Sequence, residues 1–187
     1  MALEALMFQL TQAAECNRLR LEFSNVEGFL DGVEGYGLML MAEQGPASGA
    51  IVEIGSFKGH STCWLATGTK RAHREKVYAV DHFKGSDEHQ PGEEGADHDL
   101  ISSGTTFDAF QRNLKEKELE DYVVPCVGDS VETARDWDKP IRLLFLDAGH
   151  DYEDVARDFQ AWAPHVVPGG LIAFHDVGTW PEVTKFF

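Results

Sequence analysis

Hydrophobic positions divide the chain into two regimes. Near the start they recur at three- and four-residue steps, at Leu3, Leu6, Met7, Leu10, Ala13, Ala14 and Leu21, which predicts an amphipathic helix. Gly28, Gly32, Gly35 and Gly37 then break the spacing, and a short helix is expected over residues 38–43. From residue 50 onward, short apolar runs alternate with helical stretches. The runs cover residues 50–54, 76–80, 123–127, 142–146 and 171–174, and are rich in Val, Ile, Leu or Phe, as strands buried on both faces are. Helices are expected at 61–69, 105–119, 130–136 and 152–163, the last with Val155, Phe159 and Trp162 at i, i+4 and i+7 and Asp151 as N-cap. This alternation predicts parallel strands with right-handed crossovers, so the expected fold class is α/β with a doubly wound, mostly parallel sheet. One domain is expected, with a helical N-terminal cap over 1–45 and an α/β core over 50–176.

Residues 82–104 depart from the short connections of such a sheet. The stretch holds Gly85, Pro91, Gly92 and Gly95, the carboxylates Asp87, Glu88, Glu93 and Glu94, then Asp97 and Asp99. A connection of that length is a lid, a binding loop or a solvated insertion. It follows the second strand, and ligands in these sheets sit beyond strand C-termini. His82, His89 and His98 read as solvated side chains rather than metal ligands.

Charge narrows the partners. Of 187 residues, 16 are Lys or Arg and 32 are Asp or Glu, a formal net charge of −16. Such a surface repels phosphate backbones and anionic lipid, so neither nucleic acid nor a membrane is expected as partner, whereas a cationic ligand is drawn toward it. Cys16, Cys63 and Cys126 are odd in number and form no C-x-x-C pair, which points to a reducing compartment. No basic n-region opens the chain and no run approaches about 18 apolar residues, so a cytoplasmic protein is expected.

The strand tips carry the candidate chemistry. The first run leads into Val52-Glu53-Ile54-Gly55-Ser56-Phe57-Lys58-Gly59-His60-Ser61-Thr62. Gly55 and Gly59 permit a tight turn, and Ser61 is expected to cap the next helix. A dinucleotide loop needs G-x-G-x-x-G so that pyrophosphate rests on the helix N-terminus. Here Phe57 occupies the crowded stretch and Glu53 repels phosphate, so a phosphate-free, positively charged ligand suits the loop. Lys58 is expected to face solvent or to lie over the active site. Asp81 ends the second run, where a carboxylate accepts from ribose hydroxyls or is simply solvated. Asp129 and Ser130 end the third, placed for an exocyclic amine and a helix cap. The fourth ends Asp147-Ala148-Gly149-His150 and the fifth Phe174-His175-Asp176. Trp64, Trp137 and Trp162 read as packing residues, and Trp180 as a border of the site mouth.

Val52-Glu53-Ile54-Gly55 with Gly59 and Ser61-Thr62, then Asp81, then Gly128-Asp129-Ser130 resembles the class I S-adenosylmethionine-dependent methyltransferases. Leu146-Asp147-Ala148-Gly149-His150-Asp151-Tyr152, Pro168-Gly169-Gly170 and His175-Asp176 resemble the branch with macrolide, antibiotic-sugar and rhamnosyl O-methyltransferases. The likeness runs from about Glu27 to Val183. It implies a Rossmann-like methyltransferase fold that binds S-adenosylmethionine and methylates a hydroxyl of a sugar or natural product. It places Glu53, Gly55, Ser56, Gly59 and Ser61 on the methionine and ribose side, Asp81 and His82 at the ribose, Asp129 and Ser130 at the adenine, and Asp147 beside the cofactor. In metal-using relatives, positions matching Asp147 and Asp176 hold magnesium. His175 stands where a second carboxylate is common, and imidazole suits zinc, iron or nickel better.

Methyl transfer needs alignment and removal of the hydroxyl proton, by a base or by a cation that lowers its pKa. His150, with imidazole's ordinary pKa of about 6.5, is the candidate base beside Asp147. It also reads as a helix cap. Asp147, His175 and Asp176 read as a metal site, as paired carboxylates without metal, or as acceptors for backbone amides. Two other functions stay open: a nicotinamide-dependent oxidoreductase and a non-catalytic cofactor-binding module. The first lacks a Tyr followed four residues later by Lys. Two further strands are common after the fifth in this fold and are missing here, so a partner subunit, the N-terminal helix or a missing tail is expected to cover that edge.

Overall fold

The computed structural model describes residues 2–86 and 89–187; Met1 and the insertion's Asp87 and Glu88 lie outside the described residues. In chain order the elements are α1 (Ala2–Glu22), α2 (Gly32–Gln44), β1 (Ala50–Ile54), α3 (His60–Ala72), β2 (Val77–Asp81), α4 (His98–Ser103), α5 (Phe107–Glu116), β3 (Val123–Val127), α6 (Ser130–Arg135), β4 (Ile141–Leu146), α7 (Tyr152–Trp162), β5 (Val166–Phe174) and α8 (Pro181–Phe186). The five strands are all parallel, in the order β3-β2-β1-β4-β5, with helices on both faces. This is the doubly wound α/β sheet that strand–helix alternation predicts.

Strand periodicity of two feeds two core layers. Ile51, Val77, Ala79, Leu143 and Phe145 pack with α2, α3 and α5, whereas Val52, Ile54, Val80, Leu144 and Leu146 pack with α6 and α7. β1 and β4, at the centre, are buried throughout. Arg142 is buried among them and satisfies the end of α2, its Nη2 donating to the Ala42 carbonyl (2.6 Å) and its Nε to Glu75 Oε2 (3.0 Å).

Three local expectations need correction. β5 begins at Val166 rather than 171, because Ile141 pairs with Val166 and Leu143 with Leu171, leaving residues 167–170 as an excursion within the strand. Pro168 has no N–H to donate and Gly169 adopts φ +81, so the turn residues interrupt the ladder without ending it. Ser61 does not cap α3: Gly59 takes the N-cap position, with φ +88, and Ser61 lies inside the helix. The apolar stripe of α1 is not packed along its length either. Leu19 is buried, but every residue of the predicted stripe, Leu3, Leu6, Met7, Leu10, Ala13, Ala14 and Leu21, is exposed, so the helix packs through a different face. The insertion after β2 is built from turns and α4, whose N-cap Asp97 accepts from the amides of Asp99 and Leu100.

Candidate active site

The C-terminal tips of β1, β2, β4 and β5 converge on one rim. Gly55 (φ +89) is required there, since a Cβ would lie 2.1 Å from the Asp147 carbonyl oxygen on the neighbouring tip. The loop that follows is held by carboxylates. Asp81 Oδ2 accepts from the amides of Ser56 and Phe57, both at 2.8 Å, and Oδ1 accepts from Phe83 N at 2.6 Å. A carboxylate offers about four acceptor positions, so Asp81 keeps about one for a ligand. Phe57 is left at φ +46, an uncommon conformation for a bulky residue. Gly59 N donates to the Ser56 carbonyl. The loop amides are therefore turned into the protein rather than offered to an anion.

Glu53 lies beneath this loop, fully buried, accepting from Ser56 Oγ (2.8 Å) and Thr62 Oγ1, while its Oε1 has no hydrogen-bond partner. Burial pushes its carboxyl up to about 7, against the opposing hydrogen bonds from Thr62, Ser61 and Ser56. His82 is half-exposed at the rim, its Nδ1 accepting from Lys84 N.

The third tip has internal duties. Asp129 caps α6 by accepting from Glu132 N (3.0 Å), and the Ser130 hydroxyl donates to buried Asp158 on α7. Ser130 is thus not the cap itself.

At the β4 and β5 tips, acids meet imidazoles. His175 Nδ1 lies 2.9 Å from Asp147 Oδ1 and 3.2 Å from Asp176 Oδ2, and its Nε2 lies 3.5 Å from Glu34 Oε2. The bond to Asp147 leads in raising His175 to about 9, so it is an imidazolium at neutral pH. Burial pushes the Asp147 carboxyl up, and His175 opposes that shift. His150 Nε2 lies 3.3 Å from Asp176 Oδ2, and its ring stacks on Trp180 with centroids 4.3 Å apart and planes 10° apart. Asp176 itself sits at φ +62. Donor atoms of Asp147, His175 and Asp176 come within 4.8 Å of one another, so they can converge on one cation. Two acids and an imidazole suit manganese, zinc, iron or nickel better than magnesium, and a metal there must displace the His175 proton.

Lys58 corrects the sequence expectation most sharply. It is buried, and its Nζ pairs with Glu27 (2.6 Å), Asp97 (2.7 Å) and Asp99 (2.7 Å). These hydrogen bonds raise its pKa despite burial. One ammonium thus ties the α1–α2 connection and the insertion to the glycine loop. The three carboxylates lie far from it in the chain, and no local pattern signals the pairing. Glu34 had a signal: Asp31 and Glu34 form a capping box on α2, with Asp31 Oδ1 accepting from Val33 and Glu34 amides and Glu34 Oε2 accepting from Asp31 N. Between these segments lies a cavity of about 750 Å³, bordered by Phe29, Phe57, His60 and His89.

Comparison with known proteins agrees with this layout. A family described as a methyltransferase domain matches residues 52–177. The uncharacterized protein y4gI of Sinorhizobium fredii is 31% identical over 129 residues, which cover 67% of this chain but 13% of that protein, so the chain spans about an eighth of its relative's length. Among solved structures, cofactor-bound Rv0187 from MTB superposes with a TM-score of 0.62 at 18% identity, covering 94% of this chain and 75% of that one. TomG of Streptomyces achromogenes, an O-methyltransferase in complex with SAM, superposes with a TM-score of 0.60 at 17% identity and the same coverages. At such identities the superpositions speak to the fold alone. No helix among the described residues is long and apolar enough to cross a membrane.

Proposed function

The chain belongs to the methyltransferase domain family, and from that premise we propose that it transfers a methyl group from S-adenosylmethionine to a hydroxyl of a small-molecule acceptor. One observation carries the choice of cofactor: Asp81 consumes the Ser56 and Phe57 amides that a dinucleotide loop would offer to pyrophosphate. Glu53 is buried below the same loop with its Oε1 unpartnered, an acceptor that suits a cationic ligand and offers a diphosphate no donor. Glu53, Gly55, Ser56, Gly59 and Ser61 are proposed to line the methionine side. Asp81, with His82 beside it, is proposed at the ribose, and Asp129 with Ser130 at the adenine edge. The two solved O-methyltransferases whose names carry SAM or SAH, TomG and the Bacillus cereus enzyme, support the assignment by shared fold.

When bound, S-adenosylmethionine supplies an activated methyl on sulfur. The chain's own residues then have two tasks. His150 is proposed to take the acceptor hydroxyl proton, with Asp176, 3.3 Å from its Nε2, orienting the ring and Trp180 restricting its rotation. Asp147, next to the Gly55 turn, is proposed to position donor and acceptor, and the His175 imidazolium holds Asp147 and Asp176 in place. Convergence of Asp147, His175 and Asp176 favours a second reading, in which they hold a divalent metal that lowers the hydroxyl pKa. A cytoplasmic setting is supported by three free cysteines. A copy of the chain lying against the outer edge of β5 is part of the proposal, tested by sedimentation.

Calorimetry with S-adenosylhomocysteine and with NADH tests the cofactor. Binding of the former alone is expected, and saturation by NADH alone would reverse the assignment to an oxidoreductase. Normal nucleoside binding without turnover, unchanged by replacing His150, would instead indicate a non-catalytic module.

A further inference from the structure

Helix α1 has two faces of opposite character. The side that meets the body carries Glu15, Cys16 and Leu19. Glu15 accepts from Tyr36 (2.9 Å) and Arg71 (2.7 Å), Cys16 donates to the Gly32 carbonyl, and Leu19 is buried. The other side carries Leu3, Met7, Leu10, Ala14, Asn17 and Leu21, at alternating steps of four and three residues, which is the a/d spacing of a coiled-coil seam. All six are exposed, Leu3 by 71% and Leu21 by 70%. Six of the 14 large apolar side chains exposed among the described residues lie on α1; four of them belong to the seam, Leu6 borders it, and Phe8 lies off it. A continuous apolar stripe of about 27 Å, at about 1.5 Å per residue, marks a partner surface rather than scattered exposure.

We propose that this seam pairs with the α1 seam of a second copy of the chain, antiparallel, with the twofold axis passing beside Thr11 and Ala13. The seam is self-complementary in that arrangement. Leu3 meets Leu21, Leu10 meets the smaller Ala14, and Met7 meets Asn17, each layer occurring twice. The flanking positions agree, since Glu4 falls opposite Arg18 of the second copy. A parallel pair would instead gather Arg18 and Arg20 of both copies at one end. It would also crowd two bodies of net charge −16, which α1 meets through its later turns. The antiparallel pair sets those bodies at opposite ends and, because seam and packed face lie on opposite sides of α1, clear of each other. The same net charge disfavours anionic lipid as the occupant. This pairing uses neither the methyl-donor site nor the outer edge of β5, and stands without the methyltransferase assignment.

The test is sedimentation equilibrium of the full chain in about 0.15 M salt, where repulsion between the acidic bodies is largely screened. A reversible dimer is expected. Leu10→Lys should weaken it about a hundredfold, because two copies of the side chain leave the seam together. Leu10 is 56% exposed, so the circular dichroism of the monomer should not change. The added positive charge lowers the net repulsion, so the weakening reports the lost apolar layer. Arg18→Glu should weaken the dimer about tenfold, as two ion pairs become two repulsions, and adding Glu4→Arg should restore it. A short bismaleimide, used in a Cys16→Ala background, reads the register: Thr11→Cys should cross-link between copies and Met7→Cys should not. Four results would each overturn the proposal. They are a monomer at every loading, a dimer indifferent to Leu10→Lys (as one across the outer edge of β5 would be), no recovery in the charge swap, and cross-linking through Met7→Cys but not Thr11→Cys.

Discussion

Acids surround both the glycine loop and the β4–β5 rim, yet different partners satisfy them. At the loop, Asp81 meets three backbone amides, and Glu27, Asp97 and Asp99 meet one buried ammonium. At the rim, Asp147 and Asp176 meet His175, and Asp176 also meets His150. Amides do not titrate, and the Lys58 ammonium is held charged, so the loop acids define shape at every ordinary pH. The His175 imidazolium instead gives up its proton near pH 9, so the rim acids face a partner whose charge changes with pH. Equal acidity thus serves rigidity on one side and chemistry on the other.

That contrast can be broken at several points. The largest effect is expected for His150→Gln at the rim: methyl transfer should fall about 100- to 10,000-fold, the usual worth of a general base, with little change in melting temperature. A variant that unfolds instead would make His150 part of the scaffold. On the loop side, Lys58→Met leaves three carboxylates facing one another and should cost about 4 kcal/mol in urea unfolding. Asp97→Asn added to it should recover part of the loss, and strict additivity would deny the coupling.

Stability against pH sharpens the comparison next. Glu53 is raised from 4.5 to about 7, so its folded form prefers the proton and stability declines as pH climbs from 4.5 to 7. His175 is raised from 6.5 to about 9; its stabilisation is complete below 6.5 and is lost as pH rises through 9. Each shift corresponds to about 3 kcal/mol. Glu53→Gln should flatten the lower window and His175→Gln the upper one, as read by melting temperature from pH 4 to 10. The smallest effect is expected for Asp81→Asn, about 2 kcal/mol, since one oxygen survives to accept from the loop amides. Its weakening of S-adenosylhomocysteine binding, measured by calorimetry, should exceed that of Ser130→Ala.

The sheet was legible because strands buried on both faces leave an unbroken apolar signature, and β1 to β4 fall within a residue or so of their runs. β5 was legible only in its second half, since Pro168 and the two glycines after it look like a turn whether or not the ladder resumes. Acids at strand tips were visible as residue types, but their partners were not. Asp81 was legible as a strand-tip acid, but nothing local shows that the Ser56 and Phe57 amides also reach it. Lys58 pairs with residues about 31 to 41 positions away, and long-range pairing of a single charge has no periodicity to betray it. The helix α1 shows the reverse error: its stripe satisfies helical periodicity, yet the face that packs is the one carrying Leu19.

The stacking of Trp180 on His150 gives the protein a built-in optical gauge. Indole emission is quenched when a neighbouring imidazole becomes charged; Trp162, which meets His165, and its neighbour Trp137 add signals of their own, so the scan is referenced to Trp180→Phe. A fluorescence scan across acidity would therefore follow the charge state of this one ring in the resting protein, before any methyl donor or acceptor has been identified.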